Sequence, residues 1–277
     1  MTLQTLVTTA WLADHLHDDN LRLIDIRGRV LPASEPPPHY FSHLDAYEQA
    51  HIPNAVFIDW TTDIVEPDSP SYDVATPERY GALMSRLGID AQTTVVAYDD
   101  ANGMFAARLW WTLRYYGHES VAVLDGGWQK WCEENRPIDN NVPQIIPRTF
   151  TPRVNATLRA TRTDIERQHP QLIDVRSTAE FNGERSRAER KGHIPNAVNL
   201  PRKQLLTVDG TLKPANELQQ LFREAAITTD EEVIIYCNSG VSASYGLLAL
   251  AVAGINSGRV YDSSWKEWGN ADDTAIE

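Results

Sequence analysis

Short apolar runs alternate along the chain with longer segments whose apolar residues recur at helical spacing. The runs predicted as strands are Leu21–Ile26, Val95–Tyr98, Leu172–Val175, Val198–Leu200 and Val233–Tyr236. Helical patterns follow Gly103 and Gly240, and a glycine suited to a left-handed C-cap closes each pattern. This alternation predicts an α/β fold in which helices cover both faces of a mainly parallel sheet.

Three blocks of sequence occur twice, in the same order. The blocks are LIDIR at 23–27 and LIDVR at 172–176, HIPNA at 51–55 and at 193–197, and LDGGWQKW at 124–131 with its echo YDSSWKEW at 261–268. The period is too long for a solenoid unit, so each copy is predicted to be a domain of about 130 residues. The fold is therefore expected to be two tandem α/β domains.

Prolines without helical or strand periodicity separate the two copies. They are Pro137, Pro143, Pro147 and Pro152. Such spacing is typical of a stiff, extended linker. We predict a first domain at 1–140, a linker at 141–152 and a second domain at 153–277.

Charge and composition exclude several classes of protein. A formal net charge of -13 argues against binding to nucleic acid or to an anionic membrane. Most of that charge lies in the first 150 residues, so an anionic small molecule would meet less repulsion in the second half. The N-terminus has no basic region before an apolar run, and no stretch of 18 apolar residues occurs, so a cytoplasmic location is expected.

The two cysteines, Cys132 and Cys237, can form neither a disulfide framework nor a four-cysteine zinc site. Cys237 follows the predicted strand Val233–Tyr236, and a helix begins within a turn of it. Ligands of parallel sheets bind where strand C-termini meet helix N-termini. Backbone N–H groups of the loop are expected to surround the sulfur and favour a nucleophilic thiolate; those singled out belong to Ser239, Gly240 and Ser242. The alternative is a buried structural cysteine.

Taken together, the LIDIR and LIDVR strands, both HIPNA segments, the loop CNSGVSAS and the segment SWKEWGN resemble the tandem-domain rhodanese sulfurtransferases. That family holds thiosulfate sulfurtransferase and 3-mercaptopyruvate sulfurtransferase. The resemblance covers nearly the whole chain and implies two similar α/β domains, of which only the second is catalytic. Alignment of Tyr98 with Tyr236 places Asp99 where the second copy has Cys237, so the first copy has no nucleophile.

The resemblance implies a reaction in two halves, with no metal or organic cofactor. The Cys237 thiolate attacks the outer sulfur of a small anionic donor, thiosulfate or 3-mercaptopyruvate, and keeps that sulfur as a persulfide. Cyanide, a small thiol or a protein thiol then accepts the sulfur. The loop residues expected to bind the substrate and the persulfide are Asn238, Ser239, Gly240, Val241 and Ser242.

The choice of donor stays open at this point. The loop looks more like that of mercaptopyruvate enzymes, with Asn238 in place of a glycine and Ser239 where those enzymes have a serine. Those enzymes also have an arginine for the substrate carboxylate where this chain has Glu180, so that role does not carry over. Arg185 and Arg187 are the predicted replacements, because a guanidinium binds a carboxylate or sulfonate through two hydrogen bonds. The alternative for this basic run is a solvated loop.

His51 is a candidate for a proton relay, since some mercaptopyruvate enzymes assign that part to the first-domain histidine. His193 occupies the same place in the second copy. That duplication favours an alternative in which both histidines only hold a loop through hydrogen bonds. The tryptophans of the last repeated block recur at i, i+3 spacing, which predicts core packing; they are Trp128, Trp131, Trp265 and Trp268.

Two rival functions are disfavoured by the cysteine loop. Some phosphatases share the fold and use a loop thiolate, but they need an arginine six positions after the cysteine, where this chain has Ala243. A noncatalytic rhodanese-like regulatory module is found when the cysteine is lost, and Cys237 is present. A metal enzyme and a dinucleotide-binding protein are disfavoured because the sequence lacks metal-ligand spacing and a G-x-G-x-x-G motif.

Overall fold

The computed structural model describes residues 4–168, 170–227 and 231–277. These residues form two compact units. The first unit contains the residues up to Val30, Tyr40–Pro67 and Val74–Asn155. The second unit contains Leu31–His39, Asp68–Asp73 and the residues from Ala156 onward. Two short segments from the first half of the sequence therefore belong to the second unit.

The predicted linker, residues 141–152, has no helix or strand and clusters with the first unit. Hydrogen bonds hold it there: the backbone N–H of Arg148 donates to Ser85 O at 3.0 Å, and that of Phe150 donates to Ser85 Oγ at 3.0 Å. The segment is thus extended but attached. The domain boundaries inferred from the sequence, 1–140 and 153–277, stay predictions.

The first unit is built on a five-stranded parallel sheet and a two-stranded antiparallel sheet. Its strands are β1 (Leu6–Val7), β2 (Leu21–Asp25), β3 (Gly28–Val30), β4 (Tyr40–Ser42), β5 (Val56–Phe57), β6 (Thr94–Tyr98) and β7 (Val121–Leu124). Its helices are α1 (Thr9–His15), α2 (Leu44–Gln49), α3 (Pro77–Arg86), α4 (Met104–Tyr115) and α5 (Gly127–Glu133). The parallel sheet has the order β1-β7-β6-β2-β5, and β3 pairs with β4.

The second unit repeats the strand order of the five-stranded parallel sheet. Its strands are β8 (Arg159–Ala160), β9 (Gln171–Asp174), β10 (Ala197–Asn199), β11 (Val233–Tyr236) and β12 (Gly258–Tyr261). Its helices are α6 (Arg162–Gln168), α7 (Thr178–Phe181), α8 (Ala215–Glu224), α9 (Val241–Val252) and α10 (Ser264–Trp268), with 3-10 turns at Ala156–Leu158 and Arg202–Leu205. The sheet order is β8-β12-β11-β9-β10 and all its pairs are parallel. The predicted fold, two α/β units with parallel sheets flanked by helices, is confirmed.

The central strands are apolar on both faces because both faces are covered. Every residue of β11 is buried, and so are four of the five residues of β6. The helices that follow, α4 and α9, are buried over most of their circumference, which explains their nearly continuous apolar sequences. Trp131, Trp265 and Trp268 lie in the cores of their units, as the spacing predicts, while Trp128 is partly buried.

A buried aspartate–arginine pair joins the repeated blocks of the second unit. Arg176 Nε donates to both carboxylate oxygens of Asp174, at 3.0 and 2.9 Å, and both side chains are almost wholly buried. The same guanidinium donates from Nη2 to Gly192 O, next to HIPNA, and lies over the Trp265 ring with Cζ 4.4 Å from its centroid. One arginine thus joins the LIDVR block to the tryptophan block and to the residue directly before HIPNA.

The first unit repeats this arrangement with its own residues. Arg27 Nε lies 2.9 Å from Asp25 Oδ2, Arg27 Nη2 donates to Ala50 O, and its Cζ is 4.3 Å from the Trp128 ring. The Tyr98 hydroxyl donates to Asp25 Oδ2 at 2.6 Å. These contacts explain why the blocks LIDIR, HIPNA and the tryptophan turn recur together.

In the first unit, the loop between β6 and α4 encloses a carboxylate. Asp99 is fully buried, and its side chain accepts four backbone hydrogen bonds of 2.6 to 2.9 Å; the donors are Ala101, Gly103, Phe105 and Ala106. Burial nevertheless raises the pKa of Asp99, although the N–H groups of Ala106, Ala101 and Gly103 act in the opposite direction. A loop of this shape is therefore able to surround an anion with N–H groups.

Replacement of Asp99 by alanine should destabilise the first unit, because four backbone N–H groups would lose their acceptor. We expect Asp99→Ala to lower the free energy of unfolding by about 2 to 4 kcal/mol, measured by urea denaturation. The exposed Asp19 offers a control, and Asp19→Ala should stay within about 0.5 kcal/mol of the unmodified protein. Equal stability of the two variants would contradict this role of Asp99.

Candidate active site

Cys237 directly follows β11, and α9 begins four residues later at Val241. The residue is 4% exposed. Gly240 caps the helix with φ at 74°, a left-handed conformation that glycine adopts without steric cost, so the chain turns sharply between strand and helix. Among the other predicted loop residues, Asn238, Ser239 and Val241 are buried and Ser242 is half-buried. The N–H groups of the first helical turn have no intrahelical acceptor and favour negative charge at this end.

The first residue of α10, Ser264, holds the cysteine loop, Cys237–Gly240, from one side. The Ser264 hydroxyl accepts the backbone N–H groups of Cys237 and Gly240, at 3.1 and 3.2 Å, and donates to Tyr261 O. The sequence predicts that the Gly240 N–H faces the sulfur, and this is wrong because Ser264 takes that donor. In the first unit glycine, Gly127, stands at the place of Ser264, and the corresponding Gly103 N–H donates to Asp99 instead.

Glu180 anchors the loop from another side. Its Oε1 accepts a 2.9 Å hydrogen bond from Asn238 Nδ2, and its Oε2 accepts one of 2.7 Å from the Ser177 hydroxyl. Although burial raises it, the pKa of Glu180 lies below its ordinary value, because these hydrogen bonds and the charges of Arg187 and Arg176 act more strongly. The position where the resemblance implies an arginine is thus a structural carboxylate.

Of the two predicted donor-binding arginines, Arg187 acts electrostatically on groups that contact the cysteine loop. It is half-buried, donates from Nη2 to Leu31 O, and its charge lowers the pKa of Glu180. The Arg185 side chain is exposed. Arg190, in the same run, donates to Trp268 O and so ties down the C-terminal residues.

Lys266 is a second cation at the loop, and sequence reasoning missed it. Its backbone N–H donates to Asn238 O at 3.0 Å, and its Nζ lies 4.3 Å from the centroid of the Tyr72 ring. The pKa of Lys266 is lowered to about 8, first by burial and then by the charge of Arg187, while the Cys237 charge acts in the opposite direction. Comparison of the two repeats could have identified Lys266, because the first copy has the neutral Gln129 at this position.

His51 lies in the first unit and is fully buried. Its Nδ1 is 2.8 Å from Tyr47 O, its Nε2 is 3.3 Å from Asn141 O, and its ring stacks on Tyr47. In the second unit, His193 Nδ1 is 3.0 Å from Phe181 O. These are the contacts expected of histidines that hold loops, and the proton relay at His51 stays a prediction.

Two features are absent from the part of the chain that the structure describes. No group of three or more His, Cys, Asp or Glu side chains there is placed to hold a metal ion. Within the same residues, no helix is both long enough and apolar enough to cross a membrane.

The Ser264 hydroxyl is expected to hold the cysteine loop in shape. In Ser264→Ala the Cys237 and Gly240 N–H groups lose their acceptor, so we expect the free energy of unfolding to fall by about 1 to 3 kcal/mol. Hydrogen exchange should quicken at these two amides, while the amides of α8 serve as the internal reference. Unchanged protection at Cys237 and Gly240 would show that Ser264 does not hold the loop.

Comparison with known proteins agrees with this geometry. The rhodanese-like domain matches residues 8–134 and 157–271. The sulfur carrier protein TtuD of Thermus thermophilus is 35% identical over 284 residues, which cover 96% of this chain and 94% of that protein. The 3-mercaptopyruvate sulfurtransferase of Escherichia coli is 32% identical over 275 residues, which cover 96% of this chain and 95% of that protein.

A crystal structure of SseA from Escherichia coli, described with the rhodanese fold and mechanism of 3-mercaptopyruvate sulfotransferases, superimposes with a TM-score of 0.83. It is 31% identical, and the match covers 95% of this chain and 99% of that one. The resemblance inferred from the repeated blocks and the cysteine loop is confirmed. The chain belongs to the rhodanese family and contains two tandem rhodanese-like domains.

Proposed function

We propose that this protein, a rhodanese-family sulfurtransferase, carries sulfur as a persulfide on Cys237, between a small anionic donor and cyanide or a thiol. The observation that carries the proposal is the contrast between two equivalent loops. The first unit closes four N–H groups on the Asp99 carboxylate, and the second has Cys237 after the corresponding strand. A loop shaped for an anion, with a thiol in place of the carboxylate, suits an anionic persulfide.

In the first half-reaction, the Cys237 thiolate attacks the outer sulfur of the donor. With thiosulfate, a new S–S bond forms on Cys237 and the donor S–S bond breaks, so that sulfite leaves with the electron pair. With 3-mercaptopyruvate, the C–S bond breaks instead, and the carbon takes up the proton of the donor thiol, which yields pyruvate. Either donor leaves the same persulfide anion on the enzyme.

In the second half-reaction, the acceptor attacks the outer sulfur of the persulfide and regenerates the Cys237 thiolate. Counted from the capping glycine, the Phe105 and Ala106 N–H groups that hold the Asp99 carboxylate correspond to those of Ser242 and Ala243. We assign the persulfide to these two N–H groups at the start of α9. Asn238, Ser239, Gly240 and Val241 shape the loop around them.

The roles of the remaining predicted residues follow from their positions. Arg187 is proposed to bind the anionic donor because its charge acts on groups around the loop. No step is assigned to Arg185, whose side chain is exposed. A working thiol requires a reducing environment, which favours the cytoplasm as the location. Catalysis is assigned to the domain predicted at 153–277, and a structural role to that at 1–140.

The alternative functions have less support. A phosphatase would need a cation where Ala243 is buried in the first turn of α9. A regulatory module would not need a thiol at the strand end. The persulfide experiment below separates both alternatives from sulfur transfer.

Incubation with a sulfur donor should add one sulfur atom to the protein, detected by intact-mass spectrometry. Cys237→Ser should abolish both the adduct and turnover, because it removes the nucleophile. Cys132→Ser is the matched control, since burial raises the pKa of the half-buried Cys132 thiol and makes it a poor nucleophile. An adduct on Cys132, or unimpaired turnover of Cys237→Ser, would refute the proposal. The ratio of kcat/KM for thiosulfate and 3-mercaptopyruvate, with one acceptor held fixed, identifies the preferred donor.

A further inference from the structure

Several negative charges come together at the cysteine loop during the proposed reaction. The thiolate and both candidate donors are anions, the loop residues after Cys237 are neutral, and the Glu180 carboxylate lies 2.9 Å from Asn238 Nδ2. Repulsion between like charges a few ångströms apart is strong where water is excluded. Cations of the second unit must therefore offset this negative charge if an anionic donor is to reach the sulfur.

Lys266 is placed to do this because its backbone is attached to the loop. The hydrogen bond from Lys266 N to Asn238 O holds the backbone of Lys266 against Asn238, the residue that follows Cys237. The ammonium group then lies over the Tyr72 ring, at 4.3 Å from Nζ to the centroid, within the range of a cation–π contact. Tyr72 belongs to the segment Asp68–Asp73, which Asp73 fastens by accepting a 2.6 Å hydrogen bond from the Ser263 hydroxyl.

The lysine occurs in the copy that has the nucleophile. Gln129 occupies the place of Lys266 in the first unit, and its side-chain amide donates to Asp100 O. That unit already supplies four N–H groups to the Asp99 carboxylate and has no donor to attract. The cation and the thiol are therefore found together, and both are missing from the equivalent places of the first unit.

Building on the proposed function, we infer that the Lys266 ammonium binds the anionic head group of the sulfur donor beside Cys237, together with Arg187. The shared chemistry is a set of anionic oxygens, which the carboxylate of 3-mercaptopyruvate or the sulfonate oxygens of thiosulfate provide. Lys266 takes over the charge that the arginine implied at the Glu180 position would have supplied. It is thus a specificity-determining residue outside the cysteine loop.

Keeping a half-buried lysine at this place is costly for the folded state. Since the pKa of Lys266 is lowered to about 8 in the folded protein, the ammonium form is less favourable there than in the unfolded chain. At neutral pH the charged Lys266 therefore lowers the free energy of unfolding. This destabilisation decreases as pH rises from about 8 towards the ordinary lysine pKa. A neutral side chain removes the penalty, so a substitution that weakens donor binding should not weaken the fold.

The experiment compares Lys266→Gln, which places the residue of the first copy at this position, with Lys266→Arg, which keeps the charge. Steady-state kcat/KM is measured for thiosulfate and for 3-mercaptopyruvate, and kcat/KM for a neutral thiol acceptor is measured beside them. Lys266→Gln should lower kcat/KM for the donor about tenfold and leave that for the acceptor within about threefold. Lys266→Arg should retain donor binding, and Lys130→Gln, in the helix of the first unit, should behave as the unmodified protein.

Two further measurements separate donor binding from a structural role. The dependence of donor kcat/KM on salt should weaken in Lys266→Gln, because one attractive charge is gone. In the unmodified protein donor kcat/KM should decline above about pH 8, while Lys266→Arg should stay active to higher pH. Arg187, Cys237 and Tyr72 are among the charged and titratable groups that face Lys266 in the described part of the chain, and all three are retained in each variant. The Tm of Lys266→Gln should not fall.

The outcomes are distinguishable. If the unmodified protein forms no persulfide on Cys237 with either donor, the proposed function fails, and this inference fails with it. If the persulfide forms but Lys266→Gln keeps donor kcat/KM within twofold, or loses activity together with Tm, the inference alone is overturned. A loss confined to one of the two donors supports the inference and identifies the head group that Lys266 binds.

Discussion

The buried pair between Asp174 and Arg176 is the contact on which the candidate site depends. A single guanidinium holds the carboxylate at the end of β9, the carbonyl before HIPNA and the face of Trp265. The partners have to remain together, because removing one would leave the other charge buried and unpaired. Trp265 is the second residue of α10, which also contains Ser264 and Lys266, so the residues that contact the cysteine loop are positioned by this pair.

The two copies share this arrangement but differ in the groups that accept the N–H groups of the loop. In the first, Gly127 leaves space at the tryptophan turn, where an added Cβ would lie 2.3 Å from Asp99 O, and the loop N–H groups close on the Asp99 carboxylate. In the second, Ser264 adopts nearly the same φ, 53° against 54°, and its hydroxyl takes the Gly240 N–H. The loop N–H groups of the first unit thus donate to the carboxylate of the loop itself. In the second unit, those of Cys237 and Gly240 donate to the Ser264 hydroxyl.

Much of this organisation is predictable from the sequence because it is local or periodic. The strands, the helices after Gly103 and Gly240, and the tandem fold follow from apolar spacing and from the repeated blocks. The position of Cys237 at a strand end follows from the same pattern. The prediction for the Gly240 N–H is wrong because the competing acceptor, Ser264, lies 24 residues away in the sequence.

Other features depend on contacts that no local pattern encodes. Arg185 and Arg187 stand two residues apart in an irregular segment, where no periodicity indicates which side chain turns inward. From the sequence alone, the Glu180 carboxylate is unfavourable for binding an anionic donor. Its hydrogen bonds to Ser177 and Asn238, which show its structural role, appear only in the folded protein. Lys266 reads as one polar residue of a packed helix, since its contact with Tyr72 joins residues 194 positions apart.

The segments Leu31–His39 and Asp68–Asp73 make the two copies unequal, because both segments belong to the second unit. They come from the copy without a nucleophile, yet they pack with the unit that has Cys237, and they contribute the carbonyl that binds Arg187 and the ring beneath Lys266. A C-terminal fragment cut within residues 141–152 would therefore lose the contacts that these segments make with Arg187 and Lys266. The two copies are therefore not interchangeable modules, because the second unit includes segments from the first half of the sequence.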